Sequence, residues 1–225
     1  MTASVIILVL LSALFHAFWN YLSKVSYSPQ LFLAWVAIVN IAISIAVFLV
    51  RTPVIPSSIW VYIIASGIVH FFYLVSLSQA YTSGEISYVY PIARSAPGLI
   101  PIFAVLILHE KISWQGILGI SCTLVSVYMF IQPEGLYTLS KLLEYLKKPE
   151  AIWSFSTLGT IIVYSILDKK GMSEFYNQVG GSDIVNAVVY LLAESLLSAG
   201  LYVGYVFYRF PWREIVTIGQ HSGVQ

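Results

Sequence analysis

Residues 86–108 form a mostly apolar run with one charge inside it, Arg94, and three prolines, Pro91, Pro97 and Pro101. The run is long enough to cross a bilayer as a helix. A guanidinium at mid-bilayer costs about 2.5–3.5 kcal/mol on insertion scales. Arg94 is therefore expected to face other protein or a wet cavity and not lipid. On a 3.6-residue period Tyr90, Arg94, Pro97 and Pro101 share one face, which reads as the wall of a polar route through the membrane. The prolines free backbone carbonyls and bend the axis, which a spanning helix tolerates where neighbouring helices or water satisfy those groups.

Six more apolar segments accompany this one, at residues 4–22, 31–50, 59–81, 112–131, 151–167 and 184–208. The chain is 59% hydrophobic and 9% charged, with mean hydropathy +0.85, against about 25% charged residues in a soluble domain. The expected fold is all-α, a multi-pass transmembrane helical bundle whose first partner is the lipid bilayer. A net charge of +1 gives no reason to expect nucleic acid. The single cysteine, Cys122, excludes an internal disulfide and reads as a small buried residue. No basic region precedes the first apolar run and no small-residue cleavage site follows it. That run reads as a transmembrane helix and not as a signal peptide.

Several segments carry polar stripes. Ser12, His16 and Asn20 share a face of the first, beside Trp19; Ser66, His70 and Tyr73 share one of the third. Tyr190, Glu194, Ser198 and Tyr202 follow each other at four-residue spacing in the seventh, where Glu194 reads as the one acidic residue well inside a span. Such residues either hydrogen-bond between helices or line a substrate path, and both readings stand. His16 and His70 lack a neighbouring carboxylate or cysteine that would complete a metal site. No metal and no cofactor are expected. Gly116, Gly119 and Thr123 form a small-residue face in the fifth segment, read as close helix packing without a substrate role. The short link at 82–85 makes segments three and four antiparallel neighbours. After the sixth segment, 168–171 reads as a charged end, followed by a polar loop to Asp183.

The run 15–24 aligns with 160–169: Trp19 meets Tyr164, Asn20 meets Ser165 and Lys24 meets Lys169. The tail 215–224 resembles the start of segment three. A five-helix unit followed by a second copy is a plan of secondary transporters. Residues 1–131 are thus expected to be a complete first five-helix repeat. Residues 132–150 are a polar linker in which Leu139, Leu142, Leu143 and Leu146 lay out a surface helix. Residues 151–225 are a partial second repeat of two helices and the start of a third, so transport is expected to need the missing C-terminal part, a partner chain or self-association.

The run Gly84, Glu85, Ile86, Ser87, Tyr90, Pro91, Ile92, Ala93, Arg94 and Pro97 resembles the EamA family of the drug/metabolite transporter superfamily. Glu110, Gly116 and Gly119 add to the resemblance, as do His16, Ala17, Trp19, Asn20 and Lys24. The resemblance implies a carrier of two inverted five-helix repeats in the cell membrane, moving small metabolites, often amino acids or related compounds, between the halves. By that resemblance the family-like positions are Trp19, Asn20, Tyr90, Pro91, Arg94 and Pro97, with Glu110. Together with the polar stripes the expected pathway residues are His16, Trp19, Asn20, His70, Tyr90, Arg94 and Glu194, with Pro91, Pro97 and Pro101 bending helices and Gly116 and Gly119 packing them. The alternative is a non-transporting membrane fragment or scaffold that needs a partner chain. An enzyme is not expected, because His16, His70, Glu194 and Asp168 are scattered along the chain and do not form a cluster of nucleophile and base. No ring of charges or carbonyls suggests a channel filter. The Lys and Arg distribution between the loops does not decide orientation.

Overall fold

A computed structural model describes residues 3–51, 53–131, 147–180 and 183–221. They form α1 (Ala3–Val25), α2 (Pro29–Arg51), α3 (Trp60–Ser83), α4 (Ile86–Ala93), α5 (Ala96–Leu108), α6 (Trp114–Ile131), α7 (Pro149–Val179), α8 (Asp183–Arg209) and α9 (Trp212–His221), with no strand among the described residues. Among the described residues five stretches are long and apolar enough to span a membrane: Pro29–Arg51, Ser57–Ser83, Ile86–Leu108, Pro149–Val179 and Ile184–Arg209. The chain is an integral multi-pass membrane protein.

Helix α3 is the hub. It packs against α7, α8 and α2, while α4 and α5 lean on α7, and α1 touches α2 and α3. Leu77 and Tyr81 of α3, Leu31 and Leu33 of α2, and Tyr202 and Val206 of α8 are buried in one core cluster. Apolar side chains elsewhere remain exposed on the outside of the bundle, among them Phe15 and Phe18 of α1 and Leu106 of α5, as lipid-facing positions require.

The chain direction defines two faces. Lys24, near the end of α1, donates from Nζ to the carbonyls of Tyr81 (2.7 Å) and Gly84 (2.6 Å), which close α3. A Cβ placed on Gly84 would lie 2.6 Å from Glu150 Cβ, so α7 begins at this same face. At the far face Lys169 Nζ pairs with Glu110 Oε1 at 2.6 Å. Helices α1 and α7 therefore run in opposite directions.

Three expectations need correction. Segment four is not one helix with one polar face. It breaks at Arg94, whose φ of −91° and ψ of 5° leave the helical basin, and α5 restarts after Ser95 with Pro97 in its first turn. Pro97 has no N–H to continue the ladder across that point. Pro97 is exposed, whereas Arg94 is half-buried. Pro91 and Pro101 lie inside α4 and α5.

Second, residues 168–179 are not a loop. Gly171 and Phe175 continue the buried face of α7 beyond Asp168, and Phe175 joins a second core cluster with Ile59, Ile63 and Tyr190. The apolar period outlasts the charges at 168–170, and the helix outlasts them with it. Gly180 ends it with φ of +64°, a left-handed value that a side chain would resist.

Third, the close packing of α6 is at neither Gly116 nor Gly119. A Cβ on Gly119 would meet nothing within 4 Å, and one on Gly116 would meet mainly its own neighbour Ile112. Gly98 of α5 is the tight point, where a Cβ would lie 2.5 Å from Thr123 Cγ2. Cys122 likewise is exposed. Gly98→Val should lose roughly 1–3 kcal/mol by overpacking and lower the melting temperature in detergent, while Gly119→Val should leave it within about a degree of wild type, since surface changes stay near zero. Equal melting temperatures for the two variants would remove the Gly98–Thr123 contact as a packing constraint.

The expected surface helix through Leu139, Leu142, Leu143 and Leu146 lies outside the described residues, while Pro149 and Glu150 at the end of the expected linker already belong to α7. The tail begins with the ten-residue α9, held by Trp35 Nε1 donating to the Ile215 carbonyl at 3.0 Å.

Candidate functional site

Ser66, His70, Tyr73 and Tyr81 lie along α3 and together mark a polar stripe. Fifteen residues at 1.5 Å each place its ends about 22 Å apart, most of a hydrocarbon core about 30 Å thick. Two clusters sit on this stripe, one toward each face, and tyrosines join them.

The cluster toward the Lys24 face centres on Arg94. Helix α4 ends there, which frees the side chain to turn inward between α1 and α3. Nη2 donates to Asn20 Oδ1 (3.3 Å) and, at the limit of hydrogen bonding, to Tyr73 OH (3.5 Å). The guanidinium carbon lies 5.7 Å from the Tyr90 ring centre. Asn20 is fully buried. It also accepts from Tyr81 OH at 2.7 Å and donates to the His16 carbonyl at 2.6 Å. Trp19 Nε1 donates to His16 Nδ1 at 3.1 Å. Among the described residues every partner of Arg94 is neutral, and its Nε is buried without a hydrogen-bond partner there. A guanidinium cannot shed its charge at ordinary pH, so this is a cation held by dipoles alone.

The cluster toward the Glu110 face joins α3, α7 and α8. His70 Nδ1 lies 3.0 Å from Glu194 Oε1. The two side chains form a close pair, an ion pair when the imidazole is protonated. The His70 ring stacks on Tyr164, with centroids 3.7 Å apart and planes at 24°. Ser66 Oγ donates to Asp168 Oδ1 and lies 3.3 Å from His70 Nδ1. Tyr190 OH donates to Asp168 Oδ1 at 3.2 Å. Tyr73 meets Tyr164 edge-on at 5.7 Å and so links the two clusters.

A cavity of about 540 Å³ opens beside the first cluster, lined by Ala17 of α1, Glu85 ahead of α4, Ile86, Ser87, Tyr88, Tyr90 and Pro91 of α4, and Met129 of α6. Tyr90 borders both the cavity and Arg94.

The sequence-derived residues thus divide. His16, Trp19, Asn20, Tyr90 and Arg94 meet in one cluster, and His70 and Glu194 meet in the other. Glu194 pairs with His70; no ion pair joins it to Arg94 among the described residues. Asp168, Tyr81 and Tyr164 belong to the site and were not read as site residues from sequence. Asp168 had a signal, since it lies one helical turn after Tyr164, but the adjacent lysines suggested a helix end.

The model of the EamA-like transporter family matches residues 3–132. No curated protein and no solved structure matches the chain significantly.

Proposed function

Since the chain belongs to the EamA-like transporter family, a family of membrane transporters in the drug/metabolite superfamily, we propose that it carries small carboxylate-bearing metabolites, amino acids or related compounds, across the cell membrane. The observation that carries this reading is Arg94: a permanent cation at membrane depth, beside a cavity, with only neutral partners among the described residues. A substrate carboxylate would supply the missing counter-charge, and a bidentate guanidinium–carboxylate pair is strong and directional. Entry is by the cavity past Tyr90 and Pro91. Asn20 and Tyr73 orient the guanidinium, and His16 and Trp19 hold the Asn20 side of the pocket. His70 and Glu194 continue the pathway toward the Glu110 face.

The protein is a carrier and not an enzyme in this reading. Residues 1–131 form the first repeat and α7 and α8 begin the second; the opposite directions of α1 and α7 favour this division.

The test is uptake of labelled standard amino acids by membrane vesicles from cells that express the protein, beside the corresponding decarboxylated amines. Saturable uptake of one or more amino acids, and not of their amines, is expected. Uptake equal to that of control vesicles for every compound, or equal handling of acids and amines, would overturn the reading.

A further inference from the structure

Three ionisable side chains from three helices, α3, α7 and α8, converge inside the bundle. We propose that His70, Asp168 and Glu194 form one proton-binding site, loaded from the Glu110 face with Ser66 as the relay. The ligand is a single proton. It arrives as H⁺ from water, resides on an oxygen or nitrogen of the three groups, and leaves as H⁺.

The geometry is a continuous chain. Asp168 Oδ1 accepts from Ser66 Oγ, Ser66 Oγ lies 3.3 Å from His70 Nδ1, and His70 Nδ1 lies 3.0 Å from Glu194 Oε1. Glu194 is 2% exposed, and its Oε1 lacks a hydrogen-bond partner among the described residues. That oxygen is buried against the His70 imidazole, 3.0 Å from Nδ1. The entry is equally placed: Asp168 precedes Lys169, which is exposed and paired with Glu110 at the membrane face.

The charge balance favours one proton. With His70 protonated and both carboxylates ionised the cluster carries −1, and one further proton brings it to zero. In a low-dielectric interior that difference is large, so the groups titrate as a unit. The surroundings do not neutralise it otherwise. Helix α3 adds Tyr73 at the His70 ring edge and Tyr62 across Gly171 from Tyr190. Helix α7 adds Tyr164, and α8 adds Tyr190. Helix α2 has no ionisable side chain between its ends. Arg94 of α4 lies beyond Tyr73, and His16 of α1 belongs to the Arg94 cluster. With Tyr164 stacked on His70 and Tyr190 against Asp168 and Gly171, a proton fits where an organic cation would force repacking.

The site would give the transporter an ion to couple to, and in that consequence it rests on the transport reading. Proton binding itself is measured on the purified protein at rest, so the two readings fail separately. The experiment is infrared difference titration of detergent-purified protein with ¹³C-labelled glutamate. In wild type, one glutamate carboxyl band from a buried environment should gain and lose a single proton as the pH is varied. Asp168→Asn should move that midpoint by about one unit or more, as interacting sites require, and Glu194→Gln should remove the band. A glutamate that stays ionised beside a protonated imidazole throughout would make the pair a fixed brace and overturn the proposal. So would a midpoint unmoved by Asp168→Asn. If Glu194→Gln does not fold, labelled wild type and Asp168→Asn still decide it.

Discussion

Replacing Arg94 with glutamine is expected to lower amino-acid uptake per folded molecule at least about 30-fold while leaving the melting temperature equal to or above that of wild type. Truncating one partner of a buried charge pair costs about 2–5 kcal/mol of binding, and 1.4 kcal/mol is tenfold. The stability half of the result follows from the resting contacts. Among the described residues Arg94 has only neutral partners, and the donor it offers Asn20 Oδ1 at 3.3 Å duplicates the shorter one from Tyr81 at 2.7 Å. Removing an unbalanced cation from membrane depth also removes its insertion cost. Arg94→Lys keeps a point charge but loses the fork, and should retain partial uptake. The measurement is vesicle uptake normalised to folded protein, beside detergent melting. If both variants transport normally and only stability falls, Arg94 is a brace for the break after α4.

Asn20→Asp should have the opposite profile from a damaging core change: higher melting temperature and almost no uptake. The side chain is buried, and its Oδ1 lies 3.3 Å from Arg94 Nη2. A carboxylate there would place the missing counter-charge inside the protein, still accepting from Tyr81. A hydrogen bond to a charged group contributes about 1.5–3 kcal/mol, more than its neutral counterpart. The same carboxylate would occupy the guanidinium and exclude a substrate carboxylate by like-charge repulsion. The lost Asn20 donation to the His16 carbonyl (2.6 Å) limits the gain. Melting and uptake measured on one preparation check this. A variant that transports at the wild-type rate would separate Arg94 from substrate binding.

Much of the membrane plan was legible from apolar periodicity, because lipid imposes length and backbone satisfaction on every span. Arg94, Asn20, His70 and Glu194 were legible for the converse reason: a polar group inside an apolar run must find a partner. Which partner each finds was not. Helix order does not reveal that α7 lies along α3, so the pairing of His70 with Glu194 and the stack on Tyr164 needed the packing itself. At 168–170 three consecutive charges mask the apolar period and mimic a helix end at Asp168, although Gly171 and Phe175 carry the buried face onward. The small-residue stripe of α6 misled in another way. Spacing marks which face is smooth but not which neighbour uses it, and the tight contact fell at Gly98 against Thr123. The proline-bearing run showed that a bend was coming; its position at Arg94 depends on where the ladder fails, just ahead of Pro97.

The central claim is that Arg94 receives a carboxylate in the resting protein, and ligand-induced thermal stabilisation of the detergent-purified protein tests it most directly. A ligand that binds the folded state alone raises stability by about 2.7 kcal/mol at 100 times its Kd. At least one standard amino acid should raise the melting temperature of wild type in a saturable manner. Its amide and its decarboxylated amine should not, and Arg94→Gln should not respond to any of the three. Stabilisation of Arg94→Gln equal to that of wild type, or no response of wild type to any amino acid, would contradict the account.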